Sequence, residues 1–505
     1  MAKNSKKSDT FRPAGYTFLV RHFDLQVLPH WHTSQVGGSR RKKIVEPDCR
    51  VSETFPNTYW PGDVLLNHLE FALKYDGINL EILSEVFSKV NVKELTGWIT
   101  AKPQGQYTRR SWYLYEWITG EQLPIKSLTS GNYIDLLDNQ EYYTAQHQMA
   151  GRQRVRDNLL GNSNFCPVVR RTELMQKFEN SDLSGQCRKM LSKYPAELLK
   201  RAVSYLYTKE TKSSFAIEHI TPGAVRTERF ALLLQLAEKD NFVNKDSLVD
   251  LQNRIVDPRY ANKDYRDNQN YVGETVTWQQ EKIHFISPRP QDLEDLMEGL
   301  VSAHQRMDKS HVHPVVHAAA VAFGFVFMHP FDDGNGRIHR FLIHNILARS
   351  GFTPQGFIFP VSAAMLNNMT AYEAALESFS KPLLPLIDYT LDEDGRMQVN
   401  NQTAVHYRYP DMTRIAEALF GFIRTTIEKE LVEELDFLKN YDAARRAIQE
   451  IVDMPDNRID LFIRFCLQNN GVIPSKKRKS HFSELKDQEV QKMQAAIRKA
   501  YHLMP

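Results

Sequence analysis

The chain has 505 residues, 42% of them apolar and 25% charged, the balance of a globular protein and enough length for several domains. Its 64 Lys and Arg against 61 Asp and Glu leave a net charge of +3, too small to imply nucleic acid or a membrane as an obligatory partner. Cys49, Cys166, Cys187 and Cys466 are scattered, with no CxxC pair, so they read as reduced thiols and not as a zinc site or disulfide framework.

The start, Met1-Ala2-Lys3-Asn4-Ser5-Lys6-Lys7, is polar and leads into no hydrophobic segment, so no signal peptide is expected. Residues 1–200 read as an N-terminal accessory region. Up to about residue 50 it is a tail of mixed elements, and the basic run Arg40-Arg41-Lys42-Lys43 reads as a solvated loop. From Pro61 the pattern turns helical, with Leu65, Leu66, Leu69 and Leu73, then Ile82, Leu83, Val86 and Phe87 at helical spacing. A second helix-rich block runs from Ala196 to Tyr389. Inside it Val272, Val276, Trp278, Ile283, Phe285 and Ile286 are strand formers closed by Pro288 and Pro290, which predicts a β-hairpin. His313 and His317 have the spacing of a zinc-protease helix, but Pro314 stands where the glutamate belongs. With His311 they read as a helix start. Ala318–Met328, the longest apolar stretch, falls short of the roughly 20 residues that span a bilayer, and a cytoplasmic location is expected. Beyond Asn400, Ile415, Leu419, Ile423 and Ile427 share one helical face. Residues 400–505 predict a small helical module, winged-helix-like in one reading. Its Lys476-Lys477-Arg478-Lys479 run suits a solvated loop better than DNA contact.

The chemistry concentrates in residues 329–340, His-Pro-Phe-Asp-Asp-Gly-Asn-Gly-Arg-Ile-His-Arg. The apolar run before it predicts a buried helix that Pro330 ends near His329. A glycine-bearing turn then opens the next helix near Arg337, which makes an anion cradle of unpaired N–H groups. Arg337 and Arg340 are three apart and share one side of the first turn, a pairing suited to polyphosphate. Asp333 is a carboxylate of the kind that binds Mg²⁺ beside phosphate oxygens. His329 can accept a proton near neutral pH. Phosphoryl or nucleotidyl transfer to a hydroxyl is the inference.

The segment resembles the signature of the Fic (filamentation induced by cAMP) family, His-x-Phe-x-(Asp/Glu)-Gly-Asn-Gly-Arg-x-x-Arg, at every fixed position. Most family members move AMP from ATP to a protein Ser, Thr or Tyr hydroxyl. The resemblance implies that His329 is the general base and that Phe331 anchors the loop. It implies Asp333 as the Mg²⁺ ligand, a phosphate grip by Gly334, Asn335 and Gly336, and Arg337 and Arg340 at the β/γ end. It also implies that the hairpin is a flap that docks the target as an added strand, with Phe285 and Ile286 as clamps for the target side chain. Upstream, Ser214-Phe215-Ala216-Ile217-Glu218-His219 resembles an inhibitory motif, (Ser/Thr)-x-x-x-Glu-(Gly/Asn), in which Glu218 would pair with Arg340 and compete with phosphate. The motif departs from the pattern at His219, and Ser214 as a helix N-cap is the plain alternative. The base pocket of the family aligns with Tyr372, Glu373 and Ser380, a departure that leaves the choice of nucleotide open.

The expected fold is therefore mainly α, a Fic-type helical core over 205–395 with a β-hairpin flap, a mixed N-terminal region and a helical C-terminal module. The expected function is a self-inhibited protein adenylyltransferase using ATP and Mg²⁺ on a hydroxyl-bearing target or itself. Removal of AMP by the same enzyme and a nucleotide-sensing DNA-binding regulator are the alternatives, and self-association stays open.

Overall fold

The structure, a computed structural model, describes residues 11–46, 50–277 and 280–503; hairpin side chains are described up to 274 and from 281. Met1–Lys7, Cys49 and Trp278 lie outside the described residues, as does the Val276 side chain. Helices dominate, with a few small sheets. The chain forms two compact units: Met1–Asn180 with Lys239–Ser350 and Asn368–Phe420, and Ser181–Glu238 with Gly351–Asn367 and Gly421–Pro505.

In the first unit, strands Arg12–Ala14, His32–Val36, Val51–Phe55 and Lys42–Val45 form a four-stranded sheet in that spatial order. His32–Val36 runs parallel to Val51–Phe55 and the other pairings are antiparallel. This corrects the reading of residues 1–50 as a tail. Lys42 and Lys43 lie on an exposed strand, and Arg41 reaches the buried Glu53 carboxylate at 2.6 Å. The charges hid the strand, because its β pattern is supplied by pairing with Val51–Phe55 and not by its own residues. Leu69, Ile82, Leu83, Val86, Leu95 and Trp112, on helices that follow, pack into one core. Asn79 caps the helix Leu80–Lys89 by accepting from the Ile82 N–H at 2.9 Å.

The later part of this unit is built on an apolar helix. It runs Pro314–Ala318, passes through a π-helical turn at Ala319–Phe323 and ends as Gly324–Met328. Every residue from Val315 to Phe325 is buried, as an all-round apolar helix requires. Two glycines let the 161–166 segment come close. A Cβ on Gly299, in the helix Pro290–Lys309, would lie 2.6 Å from the Phe165 backbone nitrogen, and one on Gly324 would lie 2.8 Å from the Phe165 ring. The hairpin pairs Tyr271–Thr277 with Gln280–Ile286 in a two-stranded antiparallel sheet.

The second unit contains the 22-residue helix Ala196–Ile217, with Val361–Leu366 and Leu431–Gln449 against it. Buried Glu210 accepts from the Ser362 N–H at 2.9 Å. Its last part is four helices, Leu431–Gln449, Asp456–Leu467, Ser475–His481 and Asp487–Ala500, around Ile448, Phe462, Ile463, Phe482 and Ile497. No strand follows Val399 among the described residues, so the winged variant is corrected to an all-helical module. The Lys476–Lys479 run is helical, and Arg478 bonds Asp487.

Candidate active site

His329 ends the apolar helix as its C-cap in the left-handed conformation, φ 48°, with its N–H bonded to the Phe325 carbonyl at 3.0 Å. Its Nδ1 lies 3.1 Å from the Val326 carbonyl. A carbonyl oxygen only accepts, so Nδ1 carries the proton and the basic nitrogen of the neutral ring is Nε2.

The loop from Pro330 to Gly334 is held by Asn335. Its side chain accepts from the Phe331 N–H at 3.1 Å and donates to the Phe331 carbonyl at 2.7 Å. Asn335 is buried, so its side chain shapes the loop and its contribution to a ligand falls to the backbone. Phe331 is fully buried, its ring 6.2 Å from that of Phe325. Gly334 caps the helix Asn335–Arg349 with φ 94°, a conformation that favours glycine, and a Cβ there would come within 3.0 Å of Val256. The helix start therefore presents its first-turn N–H groups at the loop. Asp333 Oδ1 accepts from the Gly334 N–H at 2.7 Å and from Arg337 Nη2 at 2.5 Å. Arg337 is fully buried while Asp333 is 46% exposed. Arg340 is also buried.

Tyr372 and Ser380 are buried on the helix Met369–Leu383, and Glu373 on the same helix is exposed. The Tyr372 ring stacks on His339 at 6.3 Å. Burial, with Arg340 beside it, pushes His339 down to about 3, and its Nδ1 is 2.9 Å from the Ala322 carbonyl. His339 is thus a neutral packing histidine.

Phe285 and Ile286 take a different position from the one expected of target clamps. They are 7% and 0% exposed, and the Phe285 ring lies 6.0–6.5 Å from Phe327, His329, Phe379 and Tyr407. Their side chains fasten the flap to its own unit. Flanking apolar rings outweigh exposure at this end of the strand. Among the described flap side chains, Val272 is apolar and 42% exposed, in register with Phe285.

Sequence reasoning missed a strap at residues 262–270. Buried Gln252 donates to Asn262 Oδ1 at 2.8 Å and to the Asp333 carbonyl at 3.3 Å. Arg266 bonds the His329 carbonyl at 2.8 Å, and Asn270 donates to the Phe331 carbonyl at 3.1 Å. Tyr407 donates to the Ile286 carbonyl at 2.6 Å. Apart from Asn262 Oδ1 these partners are main-chain atoms, which leave no signature in side-chain spacing.

In the second unit, Ser214 is buried inside the helix Ala196–Ile217 and is not its N-cap. Glu218 is the C-cap. The His219 N–H bonds the Ala216 carbonyl and the Ile220 N–H bonds the Phe215 carbonyl, each at 3.0 Å. That is a Schellman closure, with His219 at φ 57° in the position that Gly or Asn fills most easily. The departure at His219 thus falls where backbone conformation matters most.

The site thus brings together His329, the Asp333 carboxylate, two buried arginines and a helix start. Residues 242–347 match the Fic/DOC family, so the chain carries a Fic/DOC-family domain. A protein adenylyltransferase Fic of Culex quinquefasciatus is 35% identical over 125 residues, 24% of this chain and 22% of that one. One of Nematostella vectensis is 32% identical over 122 residues, 24% and 26% of the two chains. The chain thus spans about a quarter of the curated relatives it matches. A solved Fic family protein from Desulfovibrio desulfuricans G20 aligns with TM-score 0.36 and 16% identity, over 66% of this chain and 86% of that one.

Proposed function

We propose that the chain is a protein adenylyltransferase that moves AMP from ATP to a Ser, Thr or Tyr hydroxyl of a target protein or of itself. The observation that carries this reading is the Nδ1 bond of His329 to Val326, which makes Nε2 the basic nitrogen beside an anion-accepting helix start. The names of the relatives support the donor and the transferred group.

In this reading the target hydroxyl loses its proton to Nε2 of His329 while its oxygen attacks the α-phosphorus. The bond to pyrophosphate breaks in line, and pyrophosphate leaves with the negative charge. The first-turn N–H groups at Gly336 and Arg337 receive phosphate oxygens, and the Arg337 and Arg340 guanidinium groups neutralise the β/γ end. Phe331 and Asn335 keep the loop in shape. Asp333 suits a divalent cation: it is half-exposed, and with Oδ1 held by Gly334 and Arg337, Oδ2 remains for a hard ion. Mg²⁺, when bound there, would supply charge neutralisation to the phosphates. Tyr372 and Ser380 are proposed for the base pocket, and the flap for the target backbone. Restraint by Glu218, acting on Arg340, is proposed on the sequence motif.

Intact-mass spectrometry of the full chain after incubation with ATP and Mg²⁺ tests the reading, with Glu218→Gly run beside the unsubstituted protein. One added AMP per modified hydroxyl is expected. Absence of any adduct on either protein or on added lysate proteins contradicts it.

A further inference from the structure

Arg266 lies in the polar stretch Lys263-Asp264-Tyr265-Arg266-Asp267-Asn268-Gln269-Asn270, which looks like an exposed loop. Its side chain is nonetheless buried, 4% exposed, and among the described residues it hydrogen-bonds no carboxylate, Asp332 acting on it only at longer range. All its hydrogen-bond partners are main-chain carbonyls. Nε donates to His329 at 2.8 Å, Nη1 to Asn268 at 2.7 Å, and Nη2 to Pro288 at 2.7 Å and more weakly to Met328 at 3.4 Å. The Arg266 N–H adds a bond to the Pro330 carbonyl at 2.9 Å.

Three consecutive carbonyls, of Met328, His329 and Pro330, thus converge on one residue. They can do so because His329 is left-handed, which turns the chain at the end of its helix. A helix C-terminus carries negative partial charge, so a cation there is favoured even without a counter-ion. Burial still costs, and it pushes the guanidinium down to about 10. Of the other two carbonyls, that of Asn268 lies in the strap itself and that of Pro288 belongs to the exit of the flap. Asn270 repeats the connection: Nδ2 donates to the Phe331 carbonyl at 3.1 Å, and the Ser287 hydroxyl donates to the Asn270 carbonyl at 2.7 Å.

We propose that Arg266 and Asn270 are positioning residues that lace the flap exit to the loop of His329, so that the flap's placement and the orientation of the imidazole are set together. The inference deepens the adenylyltransferase reading and rests on it for its kinetic consequence. A target strand docked on the flap bears on Ser287 and Pro288, and through the strap on the backbone that carries His329. Lysine cannot replace Arg266, because one ammonium nitrogen cannot stand where Nε, Nη1 and Nη2 each meet a separate carbonyl.

Full-length Arg266→Lys and Asn270→Ala are the test, each with a thermal melt, ATP affinity, transfer kinetics and hydrogen exchange. The expected result is kcat lowered about 10- to 100-fold, the scale for a misplaced catalytic group. ATP affinity should stay within about twofold, because Arg266 and Asn270 bond the loop only at main-chain carbonyls. Amide exchange over 280–288 and 328–331 should rise together in both variants. If Arg266→Lys does not fold, Asn270→Ala carries the test, since it removes only the side-chain links to the Phe331 carbonyl and the Ser287 hydroxyl. The exchange measurement does not need turnover, so it decides the coupling even if no AMP transfer is found. Unchanged kcat in a folded variant, or faster exchange in one of the two segments with the other unchanged, overturns the proposal.

Discussion

His329 and Val326 are joined by a 3.1 Å bond between imidazole Nδ1 and a main-chain carbonyl one helical turn back. The bond fixes the tautomer, and the left-handed turn at His329 sets where the ring emerges. Replacing His329 with Ala should lower transfer about 10²- to 10⁴-fold, the usual contribution of general-base catalysis. ATP binding, measured by calorimetry, should persist. Equal loss of binding and rate would make His329 a ligand contact and not a base.

Gly334 sets the start of the phosphate-facing helix. Ala there would hold an L-residue at φ 94° with its Cβ 3.0 Å from Val256, at a cost of about 1–2 kcal/mol. A lower melting temperature together with weaker ATP binding is expected. Weaker binding alone, at unchanged stability, would mean that the loop adapts without strain.

At Gly299 a Cβ would meet main-chain atoms of Asn164 and Phe165 at 2.6–2.7 Å. Backbone cannot step aside as a flexible side chain can, so Gly299→Ala should destabilise the fold by about 1–3 kcal/mol. Urea unfolding measures this, and an unchanged midpoint would show that the 161–166 segment moves freely.

Glu218→Gly should raise auto-modification, because a carboxylate that holds a guanidinium competes with phosphate for the same bidentate site. Incorporation of label from ATP into the protein is the readout. Equal incorporation by both proteins would remove Glu218 from regulation.

Acid should destabilise the first unit through buried histidines. Burial pushes His30 and His339 down to about 3, and His68 and His304 to about 4. In the unfolded chain each takes up a proton below about 6.5. The unfolded state therefore binds more protons from about 6.5 down to 4, and stability falls as pH drops through that window. Above 6.5 these groups contribute no slope. Urea midpoints from pH 7.5 to 5 should be level and then decline, whereas a midpoint that rises on acidification would contradict their burial as neutral rings.

The motif was legible because its chemistry is contiguous: base, carboxylate, glycines and arginines occupy residues 329–340. The apolar helix before it and the hairpin were legible from periodicity and strand formers. What escaped had other causes. Strand Lys42–Val45 is charged and owes its conformation to a neighbour. Arg266 and Asn270 act on carbonyls, to which any residue type contributes equally. Phe285 and Ile286 are expected as clamps for a target side chain, but period-two alternation does not say which face meets Phe379 and Tyr407.

The most direct measurement uses ATP labelled at the α- or the γ-phosphate, with the unsubstituted protein, Glu218→Gly and His329→Ala in parallel. Label retained on protein from the α position alone, strongest in Glu218→Gly and lost in His329→Ala, is the expected result. Label from the γ position, or α label that survives His329→Ala, would contradict AMP transfer by this site.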